Sequence, residues 1–207
     1  MQLSERAYHL IKERIVTLRL RPLAVIDEQG LMQELALGRT PIREALLRLS
    51  SEGLIKVVPR RGMFVADIAI TDLQKIFEVR IELEHFCAQL AAERVTEAQL
   101  SHIEDVLLEM EQIDSNQELM AIDERFHNLV YEAANNEFLA SILQQLYALS
   151  LRLWYLSIEQ VDHSQMQHSI WQHRLILDAL RARDGQKAAE LLRAHIREFQ
   201  RQYRNVL

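Results

Sequence analysis

Apolar positions recur at helical spacing along most of this 207-residue chain. In residues 4–19, Ala7, Leu10, Ile11, Ile15 and Leu18 share one face and predict a first helix. The stretch "LRPLAVI" interrupts it, and Asp27 is suited to cap a short second helix through about Leu35, with Leu31 and Leu35 inward. After a turn at Ala36–Gly38, the residues Ile42, Ala45, Leu46 and Leu49 follow i, i+3, i+4, i+7 and form the buried stripe of a third helix. Thr40 suits its N-cap, Pro41 its first position and Gly53 its stop. Leu47 falls near the polar side, either packed on a neighbouring hairpin or exposed. In "LIKVVPRRGMFVADI" two β-branched runs flank Pro59-Arg60-Arg61-Gly62, a hairpin signal with glycine available for positive φ at the tip. Helix, helix, helix, hairpin is the order of a winged helix-turn-helix.

From Thr71 onward the pattern is helical only. "TDLQ" at Thr71–Gln74 and "TEAQ" at Thr96–Gln99 both match the capping box. Helices are expected near 71–94, 96–113, 116–134, 137–159, 164–183 and 185–204, with breaks at Asn135-Asn136 and Asp184-Gly185. The predicted fold is therefore mainly α, a winged helix-turn-helix over 1–66, a link at 67–70 and an all-helical bundle of about six helices over 71–207. Trp154, Tyr155 and Trp171 are read as bundle core.

Charge sharpens this division. Residues 1–66 carry 11 Lys+Arg against 7 Asp+Glu, a surplus of +4, whereas 67–207 carry 13 against 23, a deficit of −10. A basic front can meet a polyanion that the acidic back repels. No apolar run approaches a membrane span, and "MQLSERAYHLIKER" has no signal-peptide core. The single Cys87 has no internal disulfide partner and reads as a buried helical residue in a reducing cytoplasm. No membrane partner is expected.

The third helix presents Arg39, Thr40 and Arg43 at its leading end, where recognition helices touch DNA. A guanidinium fork can bond both guanine acceptors or a phosphate. Arg60 and Arg61, beside Gly62 at the hairpin tip, are placed for an adjacent groove or phosphate. Either arginine pair alone is better read as solvated surface. Both pairs, in this order within one such unit, point to double-stranded DNA.

A second set lies in the helical part. Asp123 and His127, four apart, share a helix face. His173 lies 11 residues before Asp184 and His195 lies 11 after it. If the chain reverses at Asp184-Gly185, the two histidines stand at one height, roughly 16 Å from the turn and inside the bundle. One carboxylate and three imidazoles suit Zn²⁺ or Ni²⁺ with positions left open. Spacing alone leaves two readings, a metal site or histidines that only hold the bundle together.

"GRTPIREALLRLSSEGLIKVVPRRGMFV" resembles the N-terminal domain of GntR-family transcription regulators, whose pattern runs close to L-G-V-S-R-T-P-V-R-E-A-L, then G-L, then P-R-R-G-x-F-V. The helical remainder resembles the FCD ligand-sensing domain of the FadR-like subgroup. The likeness implies DNA contacts by Arg39, Thr40, Arg43, Arg60 and Gly62. Ala36 stands where the family usually has glycine and Gly38 where it usually has serine, which bears on operator preference. Metal-binding FCD domains carry Asp-x-x-x-His, a later His in an H-R-x-I-L-D-A-like stretch and a final His. Here these match Asp123/His127, His173 in "QHRLILDAL" and His195 in "RAHIREF". The resemblance further implies a small organic acid effector, met by Arg80 in "IFEVRIELE" with Arg152 in "SLRLWYL" as second candidate.

The expected protein is a cytoplasmic homodimeric regulator on a palindromic operator, whose effector changes the spacing or mobility of two DNA heads. The rival is a metal-dependent hydrolase or lyase using the same Asp/His cluster. It lacks a His-Glu-x-x-His pattern, Glu124 lies about 100° around the helix from Asp123, and it leaves the basic head without a task.

Overall fold

The computed structural model describes residues 2–157 and 163–204. They form two compact units, Met1–Leu73 with Ala148–Leu156, and Gln74–Tyr147 with Ser157–Leu207.

In the first unit, α1 (Leu3–Val16) ends earlier than its apolar pattern does: Leu18 lies beyond it with φ 60°. Its buried face is Ala7, Tyr8, Ile11, Ile15 and Val16. Tyr8 is buried despite its hydroxyl because that group donates to Glu52 Oε2 at 2.8 Å, and Arg48 lies over the ring 3.8 Å from its centroid. Arg48 also bonds Glu52 and Glu5, so one polar clamp ties α1 to the third helix.

Helix α2 (Glu28–Leu35) buries Leu31 and Leu35 as expected, but the Asp27 side chain makes no capping hydrogen bond among the described residues. Ala36 then turns the chain with φ 51°. An L-residue pays steric cost of about 1–2 kcal/mol in that left-handed region, which explains glycine's suitability for such a turn.

Helix α3 (Arg39–Ser51) starts one residue before the expected N-cap. Gly38 takes the cap position in extended backbone, so Thr40 and Pro41 are the second and third helical residues. The missing proline N–H falls among the first four, which have no partner inside the helix. The stripe Ile42, Ala45, Leu46 and Leu49 is buried, and Leu47 is 58% exposed. Gly53, at φ 79°, lets its N–H reach Ser50 O at 3.1 Å while Leu54 N–H reaches Leu49 O at 3.0 Å, the paired bonds of a Schellman stop.

Strands β1 (Ile55–Val58) and β2 (Gly62–Val65) pair antiparallel, with Ile55 opposite Val65 and Val58 opposite Gly62. Arg61 N–H closes the turn onto Val58 O at 3.0 Å, with positive φ at both Arg60 (64°) and Gly62 (100°). Val25 bridges Phe64 on the outer side of β2. The last part of α7 (Glu137–Ser157) belongs to this unit and sets Leu149 against its core.

The second unit holds α4 (Ile70–Arg94), α5 (Glu97–Met110), α6 (Asn116–Ala133), the front of α7, α8 (His163–Arg181) and α9 (Gly185–Arg204). Six helices after the wing match the expected bundle among the described residues. The expected end of α7 near 159 lies outside them.

The capping box of α5 forms with both arms: Gln99 N–H on Thr96 Oγ1 at 3.2 Å and Thr96 N–H on Gln99 Oε1 at 3.0 Å. Thr71, by contrast, lies inside α4 rather than before it. Asp184 Oδ1 accepts from Lys187 N–H at 3.0 Å and starts α9 at the expected break. Ile103, Leu107, Phe126, Val130, Leu143, Leu177 and Leu192 are fully buried between the helices, as is Cys87. Trp154 is buried, and Tyr155 partly so, in the end of α7 that belongs to the first unit, whereas Trp171 is 55% exposed and is not core. It stacks on His168 at the surface.

Leu46→Ala removes a fully buried side chain and is expected to destabilise the protein by about 2–5 kcal/mol in urea denaturation. Leu47→Ala, one residue on, is expected to stay within about 0.5 kcal/mol.

Candidate metal centre and nucleic-acid interface

The apolar underside of α3 holds the helix against α1 and the wing, so its other side faces solvent. Arg39, Thr40 and Arg43 are all exposed there, and Arg60, Arg61 and Gly62 are exposed at the wing tip. A Cβ added at Gly62 meets nothing within 4 Å, so the tip is open to an approaching backbone. Sequence reasoning missed one neighbour: Arg43 Nε donates to Glu28 Oε2 at 2.9 Å. The bond joins the front of α2 to the front of α3 and occupies the Nε edge of the guanidinium.

In the second unit, Asp123 and His127 stand one turn apart on the buried face of α6, with His173 on α8 and His195 on α9. All four are buried, and one ligand atom from each lies within 4.8 Å of the others. His173 Nε2 and His195 Nε2 face each other at 3.3 Å. Asp123 Oδ1 lies 3.5 Å from His173 Nε2, and its Oδ2 lies 3.6 Å from His127 Nε2. A tetrahedral centre with bonds of about 2.0–2.1 Å sets its ligand atoms ~3.3 Å apart, so these spacings fit a divalent cation. Burial pushes the His173 and His195 imidazoles well below their ordinary pKa, and neighbouring imidazoles add to the effect. They are held neutral, the form that ligates.

Around the four sits a shell with little sequence signal. Tyr147 OH donates to Asp123 Oδ2 at 2.7 Å; burial, then the Asp123 charge, raises its pKa and keeps it a donor. Arg80 lies over the Tyr147 ring, 4.7 Å from its centroid, and its Nε donates to Glu84 Oε1 at 2.9 Å. Tyr131 OH donates to the same oxygen at 2.5 Å. Burial alone disfavours a charged Glu84, but Arg80, followed by His127 and Tyr131, outweighs it and holds the carboxyl well below the usual range. Glu84 Oε2 faces His127 Nδ1 at 3.8 Å, and neither atom has a hydrogen-bond partner among the described residues. A proton on that Nδ1 leaves the Nε2 lone pair toward Asp123.

Two of these neighbours were detectable, since Glu84 is i+4 from Arg80 and Tyr131 is i+4 from His127. Tyr147 gave no signal.

The two arginines proposed for an effector are placed differently. Arg80 is 2% exposed and joins Asp123 through Tyr147. Arg152 belongs to the first unit, where Nη2 donates to the Ala66 carbonyl. Burial lowers its pKa to about 10, with Asp67 opposing.

A winged helix-turn-helix with cations at the leading end of its third helix and at its wing defines a DNA-binding transcription regulator. Residues 3–65 match the family described as bacterial regulatory proteins, gntR family, and residues 75–198 match the FCD domain. The chain belongs to the GntR family. It is 27% identical to the HTH-type transcriptional repressor RspR of Escherichia coli (strain K12), over 98% of this chain and 90% of that protein. It is 30% identical to the Nta operon transcriptional regulator of Aminobacter aminovorans, over 88% and 86% respectively. The solved structure of E. coli McbR/YncC shares the fold with a TM-score of 0.88 at 23% identity, covering 99% of this chain and 98% of that one. These relatives are regulators, so the hydrolase or lyase reading is set aside. Among the described residues, no helix is long and apolar enough to cross a membrane.

Glu84 accepts from both buried Arg80 and buried Tyr131, so removing its carboxylate takes a shared acceptor from two buried donors. Glu84→Ala is expected to destabilise the metal-free protein by about 3–5 kcal/mol in urea denaturation.

Proposed function

We propose that this regulator is a cytoplasmic homodimer that reads a palindromic operator and is controlled by a small organic acid at a metal-containing site in its bundle. The domains are a reader over 1–66, a link at 67–70 and a sensor and dimerisation part over 71–207. In the reader, Arg39, Thr40 and Arg43 meet base edges and phosphates in the major groove, and Arg60, Arg61 and Gly62 meet the flanking backbone. In the sensor, Asp123, His127, His173 and His195 hold Zn²⁺ or Ni²⁺.

The metal, when bound, supplies a Lewis-acidic contact for the carboxylate of the acid. Arg80, whose Nε is paired with Glu84 and whose guanidinium lies over the Tyr147 ring beside Asp123, is the arginine that meets the acid in this reading. The observation that carries this reading is the convergence of four buried ligand atoms within 4.8 Å.

Metal analysis tests the sensor half and DNA selection the reader half. Metal analysis of protein purified without chelator is expected to find about one ion per chain, and Asp123→Ala and His173→Ala are expected to lose it; unchanged content in both variants removes the metal reading. Selection of bound DNA from a random pool is expected to return an inverted repeat, released by some member of a panel of small organic acids. On that DNA, Arg43→Ala is expected to cost about 1–3 kcal/mol and relax preference at one base pair per half-site. Arg61→Ala is expected to weaken all sequences alike and flatten the salt dependence. Equal loss on every sequence for Arg43→Ala overturns its assignment as a base reader.

A further inference from the structure

We infer that Gln172 and Glu198 form a tautomer-setting pair that aims the His195 lone pair into the cluster. The inference rests on the metal reading above, and one of its tests does not.

Gln172 stands beside His173 on α8, and Glu198 stands one turn after His195 on α9. Gln172 Nε2 donates to Glu198 Oε2 at 2.7 Å, and its Oε1 lies 2.8 Å from His195 Nδ1. The logic runs inward from the surface. A carboxylate only accepts, so it draws the NH₂ end of the amide toward itself. The amide oxygen is thereby left facing His195. An amide oxygen cannot donate, so the imidazole proton must sit on Nδ1. His195 Nε2 then carries a lone pair, and it points at His173 Nε2, 3.3 Å away, among the four ligand atoms.

The flipped amide fails at both ends. Its oxygen would lie against the Glu198 carboxylate, and its NH₂ would demand a lone pair on Nδ1. The proton would then move to Nε2, where it points into the cluster and blocks a cation. Glu198 therefore chooses the amide orientation, and the amide chooses the tautomer. Glu198 is itself steadied from outside: His168 Nε2 lies 3.3 Å from Oε2, and the His168 ring stacks on Trp171 with centroids 5.3 Å apart. Neither Gln172 nor Glu198 is a ligand; both are positioning residues acting through His195.

Two measurements on the full-length protein test this. In metal-free protein, two-bond ¹H–¹⁵N imidazole spectra are expected to show His195 as the Nδ1–H tautomer, and Glu198→Gln is expected to mix the two forms. A wild-type His195 protonated on Nε2 overturns the inference whatever the protein does with metal.

The second measurement is Zn²⁺ and Ni²⁺ affinity in competition with a chromophoric chelator. Gln172→Ala is expected to weaken binding about 10–100-fold with unchanged helical circular dichroism. The exchanged pair Gln172→Glu with Glu198→Gln again puts an acceptor against His195 and a donor behind it, and is expected to recover most of that loss. Packing damage alone is not repaired by such an exchange. Wild-type affinity in Gln172→Ala, while His195→Ala loses the metal, overturns the positioning role. Retention of metal by His195→Ala and Asp123→Ala together instead overturns the metal reading, and this inference with it.

Discussion

Burying a carboxylate and three imidazoles in a helical bundle is the constraint around which the second unit is built. Each of these groups loses water on folding and destabilises the interior unless something replaces it. The replacements are specific. Tyr147 serves Asp123 and Gln172 serves His195, while Glu84 stands 3.8 Å from His127 Nδ1 without a hydrogen bond to it. Arg80 then keeps Glu84 ionised, and Tyr131 takes the remaining demand of the same oxygen. An apolar core of equal volume would be simpler to stabilise, so a polar interior of this kind supports the proposed ligand site. His173 shows the residue of that demand: its Nδ1 is buried without a partner among the described residues, while its ring stacks on Phe126 with centroids 4.0 Å apart.

The reader unit follows the opposite rule. Its core is apolar, and most of its charged side chains lie at the rim, Arg39, Arg43, Arg60 and Arg61 among them. Among the exceptions, Tyr8 and Glu52 are buried because the hydroxyl donates to the carboxylate, with the half-exposed Arg48 closing that pair from outside, and Arg152 is buried against the Ala66 carbonyl. Arg43 is held but not buried. Its Nε bond to Glu28 restricts the guanidinium without removing it from solvent.

Much of this was legible in order. The stripe Ile42, Ala45, Leu46, Leu49 names the buried side of α3 because helical spacing leaves no other face for it. The box Thr96–Gln99 names a helix start because both of its bonds are local. The errors are also local in kind. Thr40 and Thr71 both match cap chemistry, yet each helix begins earlier, because a backbone can enter a helix before any side chain caps it. Trp171, expected in the bundle core, lies outside it because its face of α8 carries His168 instead of the bundle seam.

What the amino-acid order determined by itself is whatever depends on neighbours within a turn or two: the helices, the wing, the side of α3 that faces solvent, and the i, i+4 pairing of Asp123 with His127. The meeting of that pair with His173 and His195 depended on a reversal at Asp184-Gly185, which local chemistry could place but could not aim. Tertiary packing alone decided that Tyr147, Glu84 and Gln172 stand behind those four side chains, and that Arg152 turns to a main-chain carbonyl while Arg80 turns inward. Hydrogen bonds between distant segments depend on how helices cross. Crossing angle is set by the whole packed surface, and no short stretch of the chain encodes it.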